Sequence, residues 1–318
     1  MRTDASVVVP SFGGARRLPT LLDAFVAQQI TVDMTWEVIV VADGVVDDSL
    51  EVLRNYESRL PLQVVTLRQN RGRSAALNAG FAVAQGRVLV RCDDDLTPTP
   101  EFVARHVAHH SGPAVGVVGL CPNIATETHY DRVYGRASGV RSIQHGYSAA
   151  ADRRWQLWAA NCSVMRETYD LVGPYDEVFR EYGWEDIDWG YRLHQARIPI
   201  QVAEDLEVPH RGVPMTAQER IDRAFASGCA RARFESKHGS PQLDTGSVDL
   251  SEGAAVWAWN KAVHSGSRLR GARRWHRIGT VVDCTLPVLP RQLGQKLIAL
   301  AVESAGAAGG QNRQRHPK

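Results

Sequence analysis

The chain has 318 residues, 44% hydrophobic and 23% charged, with a net charge of +2, the profile of a globular protein of one large domain or one domain with an appendage. No N-terminal stretch has a signal peptide's basic, apolar and small-residue order, and the apolar stretch at 281–302 is too interrupted by charge and proline to span a membrane. The five scattered cysteines (Cys92, Cys121, Cys162, Cys229, Cys284) lack metal-site spacing, so reduced thiols and a cytoplasmic setting are expected.

In chain order, residues 7–9 read as a short strand and 18–29 as an amphipathic helix. Residues 36–41 form a second strand ending at Asp43-Gly44, followed by a helix at 48–56. A strand at 62–67, a helix at 74–85 and a strand at 88–92 continue the alternation, which predicts an α/β doubly wound sheet flanked by helices. A helix at 100–110 and a strand at 114–120 come next. Residues 121–160 mix aromatics, glycines and charges and predict only short elements shaped around a substrate. A helix starts near Glu185, residues 206–209 look strand-like, and 218–235 is strongly helical. Polar residues 236–253 read as a linker. Beyond Ala254 come about three amphipathic helical stretches with eleven Lys/Arg against two acids, a net +9, so residues 1–253 carry −7.

Asp93, Asp94 and Asp95 close the apolar strand at 88–92, where α/β sheets gather their ligands. Adjacent carboxylates repel unless a cation neutralises them. A divalent ion, magnesium or manganese, shared with a phosphorylated substrate fits their hard oxygens; the alternative is a solvated acidic turn. Asp43 is open to two readings, a turn cap or an acceptor for a base N–H. Glycine fingerprints for dinucleotides and the phosphate-clamping loop are missing.

The ordered series Val8-Val9-Pro10-Ser11, Val40-Val41-Ala42-Asp43-Gly44, Asn70-Arg71-Gly72, Asn78-Ala79-Gly80, Ala84-Gln85-Gly86 and Asp93-Asp94-Asp95 resembles glycosyltransferase family 2. The stretch from Asn161 to Arg166, Gly173-Pro174-Tyr175-Asp176-Glu177, Gly183-Trp184-Glu185-Asp186-Ile187-Asp188 and Pro209-His210 continue the resemblance, colinear over residues 5–212. It implies a GT-A fold with a mixed sheet, residues 1–235 forming the catalytic domain from a nucleotide-binding half (1–120) and an acceptor-binding half (121–235). A helical extension at 254–318 follows the linker.

By position, the resemblance implies that Pro10, Ser11, Asp43 and Asn70 surround the donor nucleotide and that Arg73 faces its diphosphate. Asp93 and Asp94 would lie against ribose or sugar, with Asp95, Asp93 and His210 at the metal. Asp186 would be the base of an inverting displacement and Glu185 its neighbour. Acids at a helix start also serve as dipole partners, and that reading stays open. Ala42 departs from the two acids of many members, which loosens the donor's identity; a UDP-sugar and a glycan or lipid-linked acceptor are expected. Asn161 and Trp184, with Trp158 and Trp189, would line a sugar pocket or pack in the core.

Two readings of the arm stand: a helical cap packed on the enzyme, or peripheral attachment to anionic membrane through Arg268, Arg270, Arg273, Arg274 and Arg277, with Trp257, Trp259 and Trp275 nearby. No nucleic-acid module accompanies the basic patch. A sugar-nucleotide nucleotidyltransferase and a non-catalytic nucleotide-sugar scaffold are the rival readings.

Overall fold

Among the described residues seven strands, β1 (Ala5–Ser11), β2 (Trp36–Asp43), β3 (Leu62–Leu67), β4 (Val88–Cys92), β5 (Gly116–Val118), β6 (Asn161–Met165) and β7 (Ile200–Val202), form one mixed sheet in the order β3-β2-β1-β4-β6-β5-β7. The computed structural model describes residues 3–180, 183–212, 214–239, 241 and 254–312. It divides into one unit of residues 1–123, 146–180 and 185–211 and another of residues 124–145, 181–184 and 212–318.

In the first unit, β1 (Ala5–Ser11), β2 (Trp36–Asp43), β3 (Leu62–Leu67) and β4 (Val88–Cys92) are parallel, joined by α1 (Leu18–Val26), α2 (Ser49–Arg54) and α3 (Arg73–Val83). β1 and β4 are buried along their whole length, as uninterrupted apolar strands between two helical layers must be. Helix α1 buries Leu18, Leu21, Leu22 and Phe25, one stripe at helical spacing. On the opposite face α3 presses on β1 at Gly80, where a Cβ would come within 2.4 Å of Val8 Cγ1. α4 (Phe102–Ala108) and β5 (Gly116–Val118) fall inside the expected helix and strand but are shorter.

Residues 121–160 depart from expectation. They carry a 13-residue helix, α5 (Arg136–Ser148), entered through a π-helical turn at Asp131–Gly135. Its only buried residue is Gly146, so no apolar stripe announced it. β6 (Asn161–Met165) then runs antiparallel between β4 and β5, making the sheet mixed; α6 (Arg166–Val172), α7 (Trp184–Gln195) and β7 (Ile200–Val202) complete the unit's elements. The expected strand at 206–209 is instead a 3₁₀ turn at Glu204–Leu206 followed by single bridges from His210 to Leu96 and Asn123. Pro209 has no N–H for a ladder.

The second unit is built on α8 (Ala217–His238), which opens with a reciprocal cap: Glu219 N–H donates to Thr216 Oγ1 at 3.1 Å, and Thr216 N–H to Glu219 Oε2 at 2.9 Å. Around it lie α9 (Ala254–Ser267), α10 (Ala272–Thr285) and α11 (Arg291–Asn312). Ile221, Ala224 and Phe225 share a core with Trp275, Val282, Leu286, Ile298, Ala301 and Ala305. Glycines bring α8 and α11 into backbone contact: a Cβ on Gly228 would sit 2.0 Å from the Gly306 carbonyl oxygen. Asp283 of α10 accepts from Ala217 N–H at 2.8 Å and Gln218 N–H at 2.9 Å, placing a negative charge at the start of α8.

The sequence reading assigned 218–235 to the catalytic body and 236–253 to a linker. In the structure α8 continues to His238 and shares its apolar face with the tail helices, while residues 240 and 242–253 lie outside the described residues. Among the described residues no helix is long and apolar enough to cross a membrane.

Candidate functional site

The carboxyl ends of β1, β2 and β4 open onto a cleft of about 220 Å³, walled by Pro10, Ser11, Phe12, Arg17, Asp43, Asn70, Gly72, Arg73, Ala76 and the acidic triplet. Strand ends of a parallel sheet converge there, and loops can shape what the strands position.

Asp43 ends β2 buried, its oxygens accepting from Arg71 N–H at 2.7 Å and Gly72 N–H at 2.8 Å. Asn70 Oδ1 accepts from the same Gly72 N–H at 3.0 Å. Asp43 thus ties the loop ahead of α3, the turn-cap role, and its carboxylate still lines the cleft. Gly44 has φ +84°, and a Cβ there would lie 2.7 Å from Asn70 N, so this turn needs glycine.

The triplet divides its work. Asp94 is buried and accepts from Ser11 Oγ at 2.6 Å and from Arg17 Nε and Nη2 at 2.9 and 2.8 Å, closing the β1–α1 loop. Burial raises its pKa against the pull of Arg17 and Ser11. Asp93 accepts from Arg91 Nε at 2.8 Å and Nη2 at 3.1 Å, with Arg73 Nε 3.8 Å away. Asp95 lies 3.0 Å from His210 Nε2. Burial raises its pKa, but His210's hydrogen bond and charge outweigh that and the net shift is downward. His210 is held from behind by Asn123 Oδ1, 2.5 Å from Nδ1, and the next residue's N–H donates to the Asp95 carbonyl at 2.7 Å.

Asp95 and His210 offer one carboxylate and one imidazole on the cleft's edge. That donor set fits a magnesium or manganese ion whose remaining positions are filled by water and diphosphate oxygens. Among the described residues no group of three or more His, Cys, Asp or Glu is placed to hold a metal alone. Asp93, also expected at the metal, is turned to Arg91 and Arg73.

Glu185 and Asp186 stand in the first turn of α7, both buried. Glu185 Oε1 accepts from Arg73 Nη1 at 2.8 Å, while Oε2 is buried and has no partner among the described residues. Asp186 Oδ1 accepts from Arg91 Nη1. Burial pushes the Asp186 carboxyl up to about 7, with Arg91 opposing and Glu185 adding to the rise. Arg91 and Arg73 therefore link the α7 acids to Asp93 in the cleft wall.

Other expected residues lie elsewhere. Asn161 is fully buried: Oδ1 is 3.0 Å from His106 Nε2, and Nδ2 donates to the Leu206 carbonyl at 2.7 Å. Trp184 donates from Nε1 to Ser227 Oγ at 2.8 Å, its ring 5.2 Å from Phe234. Trp158 and Trp189 stack at 4.8 Å inside the core. Asp188 is fully buried and holds Arg192 at 2.9 Å. Sequence reasoning missed Arg17 and Arg91. A guanidinium within the apolar run Val88-Leu89-Val90-Arg91-Cys92 was the available signal, because a buried arginine demands acid partners.

The chain resembles known proteins in sequence and in fold. The family model "Glycosyl transferase family 2" matches residues 6–166. Validoxylamine A glucosyltransferase of Streptomyces hygroscopicus subsp. jinggangensis is 30% identical over 234 residues, 64% of this chain and 55% of that protein. An undecaprenyl-phosphate 4-deoxy-4-formamido-L-arabinose transferase of Pseudomonas syringae pv. syringae is 30% identical over 179 residues, 56% of this chain and 46% of that one. The chain spans about half the length of the curated relatives it matches. Among solved structures, mannosyltransferase PcManGT from Pyrobaculum calidifontis, in complex with GDP-Man and Mn2+, aligns with a TM-score of 0.63 at 16% identity, covering 99% of this chain and 89% of that one. S. aureus TarS 1-349 in complex with UDP aligns at 0.53 and 15% identity, covering 99% and 93%. On the matched residues and the fold they share, the chain belongs to glycosyl transferase family 2 and has the GT-A fold.

Proposed function

We propose that the chain is a metal-dependent, inverting glycosyltransferase that moves a sugar from a nucleotide-diphospho-sugar, in the first instance a UDP-sugar, to an acceptor hydroxyl. The observation that carries this reading is the chain of ion pairs Asp93–Arg91–Asp186, which couples the donor cleft to a buried carboxyl with a raised pKa.

In this mechanism Asp186 takes the proton of the acceptor hydroxyl as its oxygen bonds to the sugar C1. The bond from C1 to the diphosphate oxygen breaks, and the nucleoside diphosphate leaves with the electron pair. Asp95 and His210 would hold the divalent ion, which when bound neutralises charge growing on the diphosphate. Arg73, half exposed at the cleft, adds its own positive charge there.

A panel of nucleotide sugars screened with Mn2+ by thermal shift tests the donor. A ligand that binds only the native state raises its apparent melting temperature, by an amount set by about 2.7 kcal/mol at a hundred times Kd. At least one UDP-sugar should do so; a flat response to every nucleotide sugar would remove the reading.

For the acceptor, one relative is named an undecaprenyl-phosphate 4-deoxy-4-formamido-L-arabinose transferase, and with the basic arm this supports a lipid-linked or envelope glycan at the cytoplasmic face. Its exposed arginines Arg268, Arg270, Arg273, Arg274 and Arg277 cluster near the start of α10. Of the three expected aromatic anchors only Trp257 is exposed; Trp275 is core, and Trp259 donates to Glu303 at 2.7 Å. Because α11 packs on α8, deleting the arm would uncover core, so substitution is the cleaner test. Changing the five arginines to glutamine should abolish co-sedimentation with anionic vesicles, each nearby cation contributing ~1 kcal/mol. Unchanged sedimentation would leave the arm as a packed cap.

A further inference from the structure

We infer that Arg91 is a positioning residue: a buried guanidinium strut that fixes the donor-side carboxylate Asp93 and the base Asp186 relative to one another. This rests on the reading of Asp186 as the base.

Arg91 sits in β4 between Val90 and Cys92, paired with Val8 of β1 on one side and Cys162 of β6 on the other. Its side chain is 1% exposed. Nothing in a sheet interior compensates a charge there, so the site exists only because acids reach it from the end of its own strand and from a distant helix. Asp93 comes from the loop closing the same strand, and Asp186 from the first turn of α7, 95 residues further on. Nε and Nη2 grip both oxygens of Asp93, at 2.8 and 3.1 Å, while Nη1 takes Asp186 Oδ1. A planar fork with donors on both sides makes this three-point arrangement, and a lysine ammonium, a point charge with no fixed plane, does not.

The consequence is geometric. A carboxylate held on only one edge rotates about its last torsion; Asp93, gripped side-on, does not. Asp186, at a helix start after Gly183 (φ +88°), depends on Arg91 to fix its aim. Arg73 runs beside this strut, from Glu185 to within 3.8 Å of Asp93, so the α7 acids and the cleft acid form one alternating array. Arg91 touches neither donor nor acceptor in this account. It acts through the two carboxylates.

The test is Arg91→Lys, alone and combined with Asp186→Asn. kcat should fall about 100-fold, the scale of a misplaced reacting group, while the loosened Asp93 should weaken nucleoside diphosphate binding and raise the donor KM by a clearly smaller factor. Arg91→Lys should cost far less in the Asp186→Asn background than in wild type, because only the hold on Asp93 is left to lose. Full kcat in Arg91→Lys, with Asp186→Asn inactive, overturns the strut but spares the base. Multiplicative losses in the double variant also overturn it. Full activity in Asp186→Asn removes the base reading instead. Should Arg91→Lys not fold, Arg91→Gln, which retains one amide donor, takes its place. If neither folds, Arg91 is a core ion-pair residue and the positioning claim is overturned.

Discussion

Asp186→Asn should leave donor binding intact and lower turnover about 10³-fold, within the ~10²–10⁴ that positioned proton transfer contributes. The amide keeps the shape and one hydrogen-bond acceptor for Arg91 but cannot take a proton. With the Asp186 carboxyl raised to about 7, the acid limb of kcat in the wild type should bend near that pH, activity falling as the carboxyl protonates. Calorimetric titration with nucleoside diphosphate alongside steady-state kinetics separates binding from turnover. A variant that binds donor and turns over at the wild-type rate would move the base elsewhere, with Glu185 the nearest replacement.

The second large effect is on stability in acid. His106 and His110 are buried behind the sheet, with Ser163 Oγ lying 2.8 Å from His106 Nδ1 and 2.8 Å from His110 Nε2. Burial lowers their pKa values to about 3 and about 4. The unfolded chain takes up these protons near pH 6.5, whereas the folded chain stays neutral until far lower. Stability is therefore lost as pH falls below about 6.5, by roughly 2 kcal/mol per histidine at pH 5. Asp186 works in the opposite sense over the same window, since its raised folded pKa makes protonation favour the native state between about 7 and its unfolded value. The comparison that isolates the histidines is urea unfolding of wild type and a His106→Gln/His110→Gln variant at pH 7 and pH 5. The variant should lose about 4 kcal/mol less than wild type between the two values. Equal losses would show that the pair does not take part.

The parallel strands were legible in the sequence because continuous apolar runs have no other use, and their ends located the acids. The fold's antiparallel turn was not: β6, Asn161–Met165, is polar enough to read as a loop motif. Helix α5 buries too little for periodicity to show it. Pro10, Ser11, Asp43, Asn70, Arg73 and the acidic triplet, named from the sequence, line one cleft, whereas Asn161 and Trp184 do not, and the division of labour among the acids was not legible. Asp93, Asp94 and Asp95 are neighbours in sequence, yet they face Arg91, Arg17 and His210 respectively, partners 2, 77 and 115 positions away along the chain. A motif supplies residue types; the partners that aim them arrive through the sheet order. The tryptophans show the same limit, since stacking in a core and stacking on a sugar draw on one surface chemistry.

In the proposed mechanism Asp95 and His210 would present a divalent ion to a donor diphosphate in the cleft. Crystals of the Asp186→Asn variant grown with Mn2+ and the donor chosen by thermal shift measure this directly, through the anomalous signal of manganese. One anomalous peak should appear in contact with Asp95, His210 and the diphosphate, with the nucleotide lying toward Asp43. Nucleotide bound in the cleft with no manganese at Asp95, or manganese seated on other residues, would contradict it.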